Sequence, residues 1–281
     1  MPIRMITEGD PSKRYALQVR DFTTAEEQRQ AIVIRYLTLE KFLSLLEFGA
    51  MWFSRLGALQ DKYEGTLPNR VRDLSKARDR KIAEMFPEPL LRPAILKMTD
   101  QAIEECRSFT AVNCWFLGQN EKEEMWQNYG EQGRGVAIRS TVWRLSTSFQ
   151  ITGDYADSTQ VGRAHYIDFD THEMPVEDYE TVNAKAFLKH KDFSVEEEVR
   201  IMTNNFLHSG CLNPDGSQAT KPYPVDPNRK GFYVKCRLTE LVEAVIVGPN
   251  VQPHFHTLIK KLIVRYCLCA TVEKSRLAPL S

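Results

Sequence analysis

Three charged residues alternate along the segment FSVEEEVRIM: Glu196, Glu198 and Arg200. If this segment begins a strand, the three side chains point to the same side, because side chains alternate between the two faces of a strand. A neighbouring arginine lowers the pKa of a carboxyl group or aligns it. The apolar Val199 and Ile201 predict a buried strand, so three charges on one face favour a functional site over a solvated sheet face.

Two carboxylates three positions apart, Asp61 and Glu64, lie in the segment QDKYEG, directly after an apolar segment. On a loop, such a pair can orient a cation, a sugar hydroxyl or an arginine. The same residues can equally cap the helix that follows. The sequence leaves both interpretations open.

Arg35 and Tyr36 end the first apolar segment, and Ser54 and Arg55 end the next one. An arginine at the end of a strand can bind a phosphate or a carboxylate through two hydrogen bonds, as in many nucleotide sites. The alternative is an ion pair at the surface.

Trp126 and Tyr129 lie three positions apart in the distinctive segment CWFLGQNEKEEMWQNYGEQGRG. On a helix they share one face, where the two rings either pack in the core or form the wall of a pocket. Core packing is the simpler interpretation of an aromatic pair alone. The glycines that follow precede a predicted strand, so the pattern of a dinucleotide-binding fingerprint is not met.

The elements that position these residues mix strands and helices in irregular order. The opening unit is predicted as a strand at 31–36, a helix from the N-cap Thr38 to Gly49, and a strand at 51–54. The other predictions are strands at 109–117, 135–139, 161–169, 199–203, 232–236, 243–247 and 271–277, helices at 121–129, 179–191 and 253–266, and a polar loop at 208–229. This order predicts the α+β class, with a mixed, mainly antiparallel sheet and flanking helices.

The chain of 281 residues is predicted as a polar N-terminal arm at 1–30 and a single α+β domain at 31–281. Hydrophobic residues make up 42% of the sequence, which is enough to bury a sizeable core. Between about 67 and 106, dense charge and apolar residues at helical spacing predict a helical insert interrupted by prolines.

Charge gives little guidance on partners, because Lys plus Arg and Asp plus Glu both number 37. No overall field draws the protein towards nucleic acid or anionic lipid. The basic segment 70–97 still leaves a nucleic-acid partner open. No apolar segment approaches the ~20 residues that cross a bilayer, so no membrane association is predicted.

The six cysteines include no CxxC pair, and the N-terminus lacks the apolar segment of a signal peptide. Free thiols in a reducing compartment, and hence a cytoplasmic location, are predicted. Cys267 and Cys269 lack further ligands at zinc-like spacing, and no HExxH motif is present, so no metal is predicted.

The order of these motifs resembles a large bacterial family known as domain of unknown function 2971. The shared segments, over roughly 31–277, are Arg35-Tyr36, MWFS, QDKYE, MWQNYG, GRGVAI, KDFSVEEEVR and VIVGP. The chain departs from the family pattern with Gln60 for Asn, Lys62 for Pro, Asn128 for His and Phe193 for Trp. These four departures affect the polar contacts that the motif residues could make more than they affect the fold.

The early arginine and the late glutamate on strands also resemble the layout of ADP-ribosyltransferase-like toxins. This resemblance implies that nicotinamide adenine dinucleotide (NAD) is a substrate, held by the arginine and an aromatic ring, while the glutamate stabilises the oxocarbenium-like transition state. On this basis the predicted catalytic residues are Glu198, Glu196 and Arg200. The predicted dinucleotide-binding residues are Arg35, Tyr36, Ser54, Asp61, Glu64, Trp126 and Tyr129.

The leading hypothesis is therefore a bacterial effector or defence-related enzyme that acts on NAD, with a small nucleotide or a macromolecular target as its partner. One alternative is an effector that binds or acts on nucleic acid. Another is a non-enzymatic interaction module in which the motif residues fix the core.

Overall fold

A computed structural model describes residues 17–86, 91–149, 159–173, 182–203, 211–212 and 230–280. The strands are β1 Gln18–Val19, β2 Ile32–Leu37, β3 Ala50–Arg55, β4 Ala111–Leu117, β5 Val136–Thr141, β6 Thr159–Arg163, β7 His165–Ile167, β8 Leu188–His190, β9 Glu198–Thr203, β10 Cys211–Leu212, β11 Gly231–Lys235, β12 Ala244–Val247 and β13 Thr271–Lys274. The helices are α1 Ala25–Gln30, α2 Leu39–Phe48, α3 Asn69–Met85, α4 Arg92–Ile95, α5 Met98–Phe109, α6 Glu123–Tyr129, α7 Val142–Ser148, α8 Val182–Ala186, α9 Leu238–Leu241 and α10 Pro253–Arg265.

Within these residues the main feature is an 11-stranded sheet that branches at β4. One path runs β1-β6-β9-β4-β2-β5-β12-β13, and the branch runs from β4 through β3 and β11 to β10. Most neighbours are antiparallel, while β1 with β6 and β12 with β13 are parallel. The prediction of an α+β protein with a mixed, mainly antiparallel sheet is confirmed.

The opening unit forms as the sequence predicts. The hydroxyl of Thr38 accepts a hydrogen bond from the backbone N–H of Lys41 at 3.3 Å, which caps the start of α2. Gly49 ends the helix with a φ of 56°, a left-handed conformation that glycine adopts without steric cost. The chain then returns directly as β3.

The two faces of the sheet carry different side chains. On β9, Val199 and Ile201 belong to the main apolar core, together with Trp115 of β4. Glu198 and Arg200 alternate with them and lie on the opposite face, where they are nevertheless buried. Charged groups are thus buried on this second face of the sheet.

The predicted helical insert forms α3, α4 and α5. Asp79 ties α3 to α5, because its Oδ2 accepts hydrogen bonds from the backbone N–H and the hydroxyl of Thr99 at 3.0 and 2.6 Å. Pro93 lies in the first turn of α4, where its missing N–H costs nothing. Within the described residues, no helix is both long and apolar enough to cross a membrane.

Two predicted elements are wrong. The strand predicted at 161–169 is split into β6, which pairs with β9, and β7, which pairs with β8 in a separate sheet. The chain bends at Ala164, whose N–H donates to the carbonyl of Glu198 at 2.9 Å. Of the helix predicted at 179–191, only α8 forms within the described residues. It is followed by β8, which pairs with β7 and buries Leu188.

Glu196 was predicted to lie on the strand with Glu198, but it lies in a 3-10 turn at Lys191–Glu196.

The predicted loop at 208–229 falls outside the described residues apart from β10. In the segment predicted as an arm, 1–16 are also outside them, whereas β1 and α1 form and Leu17 and Phe22 pack in the core. The division into an arm and one domain stays a prediction.

Candidate functional site

The centre of the site is Arg200, which is fully buried on β9. Its two terminal nitrogens donate to the two carboxylate oxygens of Glu64 at 2.7 and 2.6 Å, and its Nε donates to Glu198 at 2.7 Å. Nη1 also donates to the carbonyl of Ala186 at 2.9 Å. A planar guanidinium suits such a bidentate contact, so Arg200 fixes the orientation of both carboxylates.

Lys189 is the second cation of the group and comes from β8. Its ammonium donates to Glu196 and, at 3.1 Å, to Glu198, and it lies 4.0 Å from Glu64. The side chain is 7% exposed, so water screens these contacts weakly. Sequence reasoning missed Lys189, because the segment around it was predicted as a helix.

The backbone of Glu197 is what brings Glu196 back to this group. Glu197 ends the 3-10 turn in the left-handed conformation, with a φ of 38° and a ψ of 53°. This reversal allows the side chain of Glu196 to reach Lys189, although Glu196 is not part of β9. The side chain of Glu197 itself pairs with Lys122 at 2.5 Å.

Tyr129 connects the buried charges to the surface. Its hydroxyl donates to Glu196 at 2.7 Å, and the residue is 41% exposed at the end of α6. A second tyrosine, Tyr166 of β7, accepts a hydrogen bond from the backbone N–H of Glu198 at 2.7 Å. We call Glu64, Tyr129, Lys189, Glu196, Glu198 and Arg200 the charged network.

The two neighbouring glutamates have pKa values shifted in opposite directions. Burial and the charge of Glu198 raise the pKa of Glu196, against the lowering effect of Lys189 and of the hydrogen bond from Tyr129. Burial also raises the pKa of Glu198, but the charges of Arg200 and Lys189 outweigh this effect and lower the pKa to about 2. Glu198 is therefore ionised at neutral pH, and Glu196 is the carboxyl group that binds a proton more readily.

Arg35 lies next to the charged network, at the branch of the sheet. On one edge of β4, β2 pairs with Phe116 and Leu117, while β3 pairs with Ala111 and Val112. Arg35 fills the gap and donates from Nη1 to the carbonyl of Cys114. Its buried Nε has no hydrogen-bond partner among the described residues.

Tyr36 and Trp126 pack against each other instead of facing the charged network. Their rings meet edge to face with centroids 4.9 Å apart, and Trp126 is fully buried. The hydroxyl of Tyr36 accepts from the N–H of Lys122 at 2.9 Å, and the indole of Trp126 donates to Glu121 at 2.9 Å. Both side chains thus act as core residues in this structure.

Asp61 and Ser54 also make local contacts. Asp61 accepts from the backbone N–H groups of Tyr63 and His190 at 2.9 and 3.2 Å, which holds the loop against the end of β8. Ser54 accepts from the indole of Trp52 at 3.0 Å. The structure therefore groups five of the predicted residues in the charged network: Glu64, Tyr129, Glu196, Glu198 and Arg200.

Metal binding receives no support from the described side chains, among which no group of three or more His, Cys, Asp or Glu could hold a metal ion. Five cysteines, Cys106, Cys114, Cys236, Cys267 and Cys269, are free thiols. The predictions on cofactor and cellular location stay predictions.

Residues 125–201 match the model of a family described as protein of unknown function (DUF2971). The resemblance predicted from the motifs is confirmed over this range. The matched range contains every member of the charged network except Glu64. The chain has no match among curated proteins or among solved structures.

Proposed function

We propose that this protein is an enzyme that breaks the bond between nicotinamide and ribose in NAD, as a glycohydrolase or an ADP-ribosyltransferase. A role as a bacterial effector or defence enzyme is part of the same proposal. The observation that carries it is that one ammonium, Lys189, binds Glu196 and Glu198 together, while the half-exposed Tyr129 contacts Glu196. This arrangement places two carboxyl groups, whose pKa values are shifted in opposite directions, beside a tyrosine that is partly exposed to solvent.

The reaction can use two carboxylates that differ in how readily they bind a proton. As the bond from C1′ to the pyridinium nitrogen breaks, its electron pair leaves with neutral nicotinamide, and positive charge develops on the ribose. The ionised Glu198, fixed by Arg200 and Lys189, stabilises this charge electrostatically. Glu196 accepts the proton of the attacking water or acceptor hydroxyl, so that hydrolysis yields ADP-ribose, nicotinamide and one proton.

The different roles of Glu196 and Glu198 follow from the surroundings of the two carboxyl groups. A general base works best when its pKa lies near the operating pH, and burial raises the pKa of Glu196 in that direction. Neighbouring carboxyl groups whose environments separate their pKa values are a frequent basis for acid and base roles.

Release of free nicotinamide from NAD by the purified protein is the direct test. We expect turnover by the wild type and a loss of about 100-fold or more in Glu196→Gln and Glu198→Gln. Glu197→Gln is the matched control, because this neighbouring side chain pairs with Lys122 outside the charged network. If the wild type releases no nicotinamide, the proposal is wrong.

A non-enzymatic role is the second candidate, and it is favoured by the hydrogen bonding of the charged network itself. Both oxygens of Glu64, Glu196 and Glu198 are bound to partners, as in a purely structural ion cluster. This role predicts that Glu196→Ala and Arg200→Ala lower the melting temperature and leave all ligand binding unchanged. Glu196→Gln separates the two candidates, because it keeps the shape of the side chain and removes the base.

Nucleic-acid binding stays an alternative based on the basic helix α3. Three of its basic residues, Arg70, Lys76 and Arg78, form ion pairs with Glu173, Asp100 and Asp79, which reduces the charge available to phosphates. A steep salt dependence of retention on DNA or RNA would support this alternative over the enzymatic one.

A further inference from the structure

A pair of aromatic rings lies on the same face of the sheet as Arg200, on the branch that starts with β3. Ser54 of β3 lies opposite Val112 of β4, and Cys114, two residues along, lies opposite Arg200 of β9. Because alternate residues share a face, Trp52 and Ser54 are on the face of the charged network. One strand, β4, separates them from β9.

The indole of Trp52 is held over the neighbouring strand β11. Its Nε1 donates to the hydroxyl of Ser54 at 3.0 Å. A Cβ at Gly231 would lie 2.2 Å from the carbonyl oxygen of Phe53 and 2.6 Å from Cζ2 of the indole, so glycine is needed where both the backbone and the ring approach this position. Trp52 is nevertheless partly exposed, so these contacts do not enclose the residue completely.

Tyr233 of β11 completes an aromatic corner with Trp52. The two ring centroids are 5.0 Å apart and the planes meet at 70°. Phe48 supports Tyr233 from α2, with centroids 5.1 Å apart and an angle of 72°. Tyr233 is also partly exposed, so a flat ring stacked on one aromatic side chain would contact the other along its edge.

The position of this corner relative to the charged network limits which ring it can bind. Two strand spacings of about 4.8 Å separate β3 from β9, or roughly 10 Å. The nicotinamide ring is bonded directly to the reacting C1′ atom and cannot be that far from Glu198. A ring at the corner therefore belongs to the other end of the substrate.

We propose that Trp52 and Tyr233 bind the adenine ring of the dinucleotide, with Ser54 holding the indole in place. This inference rests on the proposed function, because it takes the dinucleotide from there. In this proposal β3 and β11 recognise the adenine end of the dinucleotide, whereas the charged network acts on the bond between nicotinamide and ribose.

Calorimetric titration with two probes tests this assignment: ADP-ribose, which contains adenine, and nicotinamide mononucleotide, which does not. We expect Trp52→Ala to weaken ADP-ribose binding about 10-fold or more, as for other bases stacked on aromatic side chains. Binding of nicotinamide mononucleotide should stay within about twofold of the wild type, and Trp52→Phe should recover most of the ADP-ribose affinity.

Two further variants ensure that the test of the adenine site does not rest on Trp52→Ala alone. Tyr233→Leu should cause the same selective loss, even if Trp52→Ala does not fold. Trp143→Ala is the matched control, because this tryptophan of α7 contacts Arg29, with the guanidinium 4.3 Å from the ring, and lies outside the corner. Its binding of both probes should equal that of the wild type.

The inference is overturned if the wild type does not bind ADP-ribose, if Trp52→Ala and Tyr233→Leu leave that affinity unchanged, or if both probes weaken equally. Failure of the proposed function looks different. In that case ADP-ribose binding depends on Trp52, but the wild type releases no nicotinamide from NAD. Turnover with a KM that is insensitive to Trp52 would uphold the proposed function and reject the adenine site.

Discussion

Arg200 and Glu64 form a bidentate ion pair between residues that are 136 positions apart in the sequence, with side chains only 0% and 1% exposed. The pair joins the loop after β3 to the central part of the sheet. Because neither group is in contact with bulk water, each depends on the other to offset the cost of burial.

Glu64→Ala should lower the free energy of unfolding by about 3–5 kcal/mol, since it leaves the guanidinium of Arg200 short of a partner in the interior. Denaturant unfolding monitored by circular dichroism measures the change. Glu273→Ala is the control, because it breaks a partly exposed pair with Arg139 and should cost about 1 kcal/mol or less. Equal losses in the two variants would contradict the importance given to the buried pair.

Tyr129→Phe should leave the fold intact and reduce NAD turnover about tenfold, the equivalent of one hydrogen bond. The hydrogen bond from Tyr129 lowers the pKa of Glu196, so its removal raises that pKa. A base must be deprotonated to act, and the acid limb of the pH–rate profile should therefore move to higher pH. Tyr266→Phe, which removes a surface hydroxyl bound to Glu47, should leave the profile unchanged.

The stability of the protein should depend on Glu198 in the acid range. Its pKa is lowered when folded, so its contribution is complete above the unfolded value of about 4.3 and disappears as the pH falls towards 2. The stability difference between the wild type and Glu198→Gln should therefore shrink between about pH 5 and pH 2. Urea unfolding at several pH values measures it, and a constant difference would contradict the lowered pKa.

Lys189→Met should destabilise the protein at neutral pH and regain stability as the pH falls. Without the ammonium, Glu196 and Glu198 repel each other in a buried site, which raises their folded pKa values. Groups with a raised folded pKa contribute most below the unfolded value and lose that contribution as the pH rises. Adding Glu196→Gln to Lys189→Met should restore part of the stability at pH 7, a coupling that a double-mutant cycle quantifies. Additive effects of the two changes would argue against their contact.

Local patterns predicted the elements that depend on local physics. Thr38 and Gly49 fixed the ends of α2, and the alternation of Glu198 with Val199 and Arg200 placed two charges on one face of β9. The simpler interpretation of Trp126 as a core residue also agrees with its burial. These features depend on neighbours within a few residues, which a single sequence contains.

The contacts that define the charged network depend on tertiary structure and could not be predicted in the same way. The pairing of Glu64 with Arg200 requires the order of β3, β4 and β9 in the sheet, which no local pattern specifies. Lys189 was missed because the apolar spacing before it suits a helix as well as the short strand β8. Glu196 was predicted on the correct side for the wrong reason, since a left-handed residue and not strand alternation places it there.

The long separation between Glu64 and Arg200 also bears on the order of folding events. During synthesis Glu64 leaves the ribosome well before Arg200, and a carboxylate without its partner favours hydration over burial. We therefore expect the loop that carries Glu64 to stay in contact with water until β9 adds to β4. Closing so large a loop is slow compared with forming α2 or α3. We therefore expect neutralisation of the buried charges and completion of the sheet to occur together, late in folding.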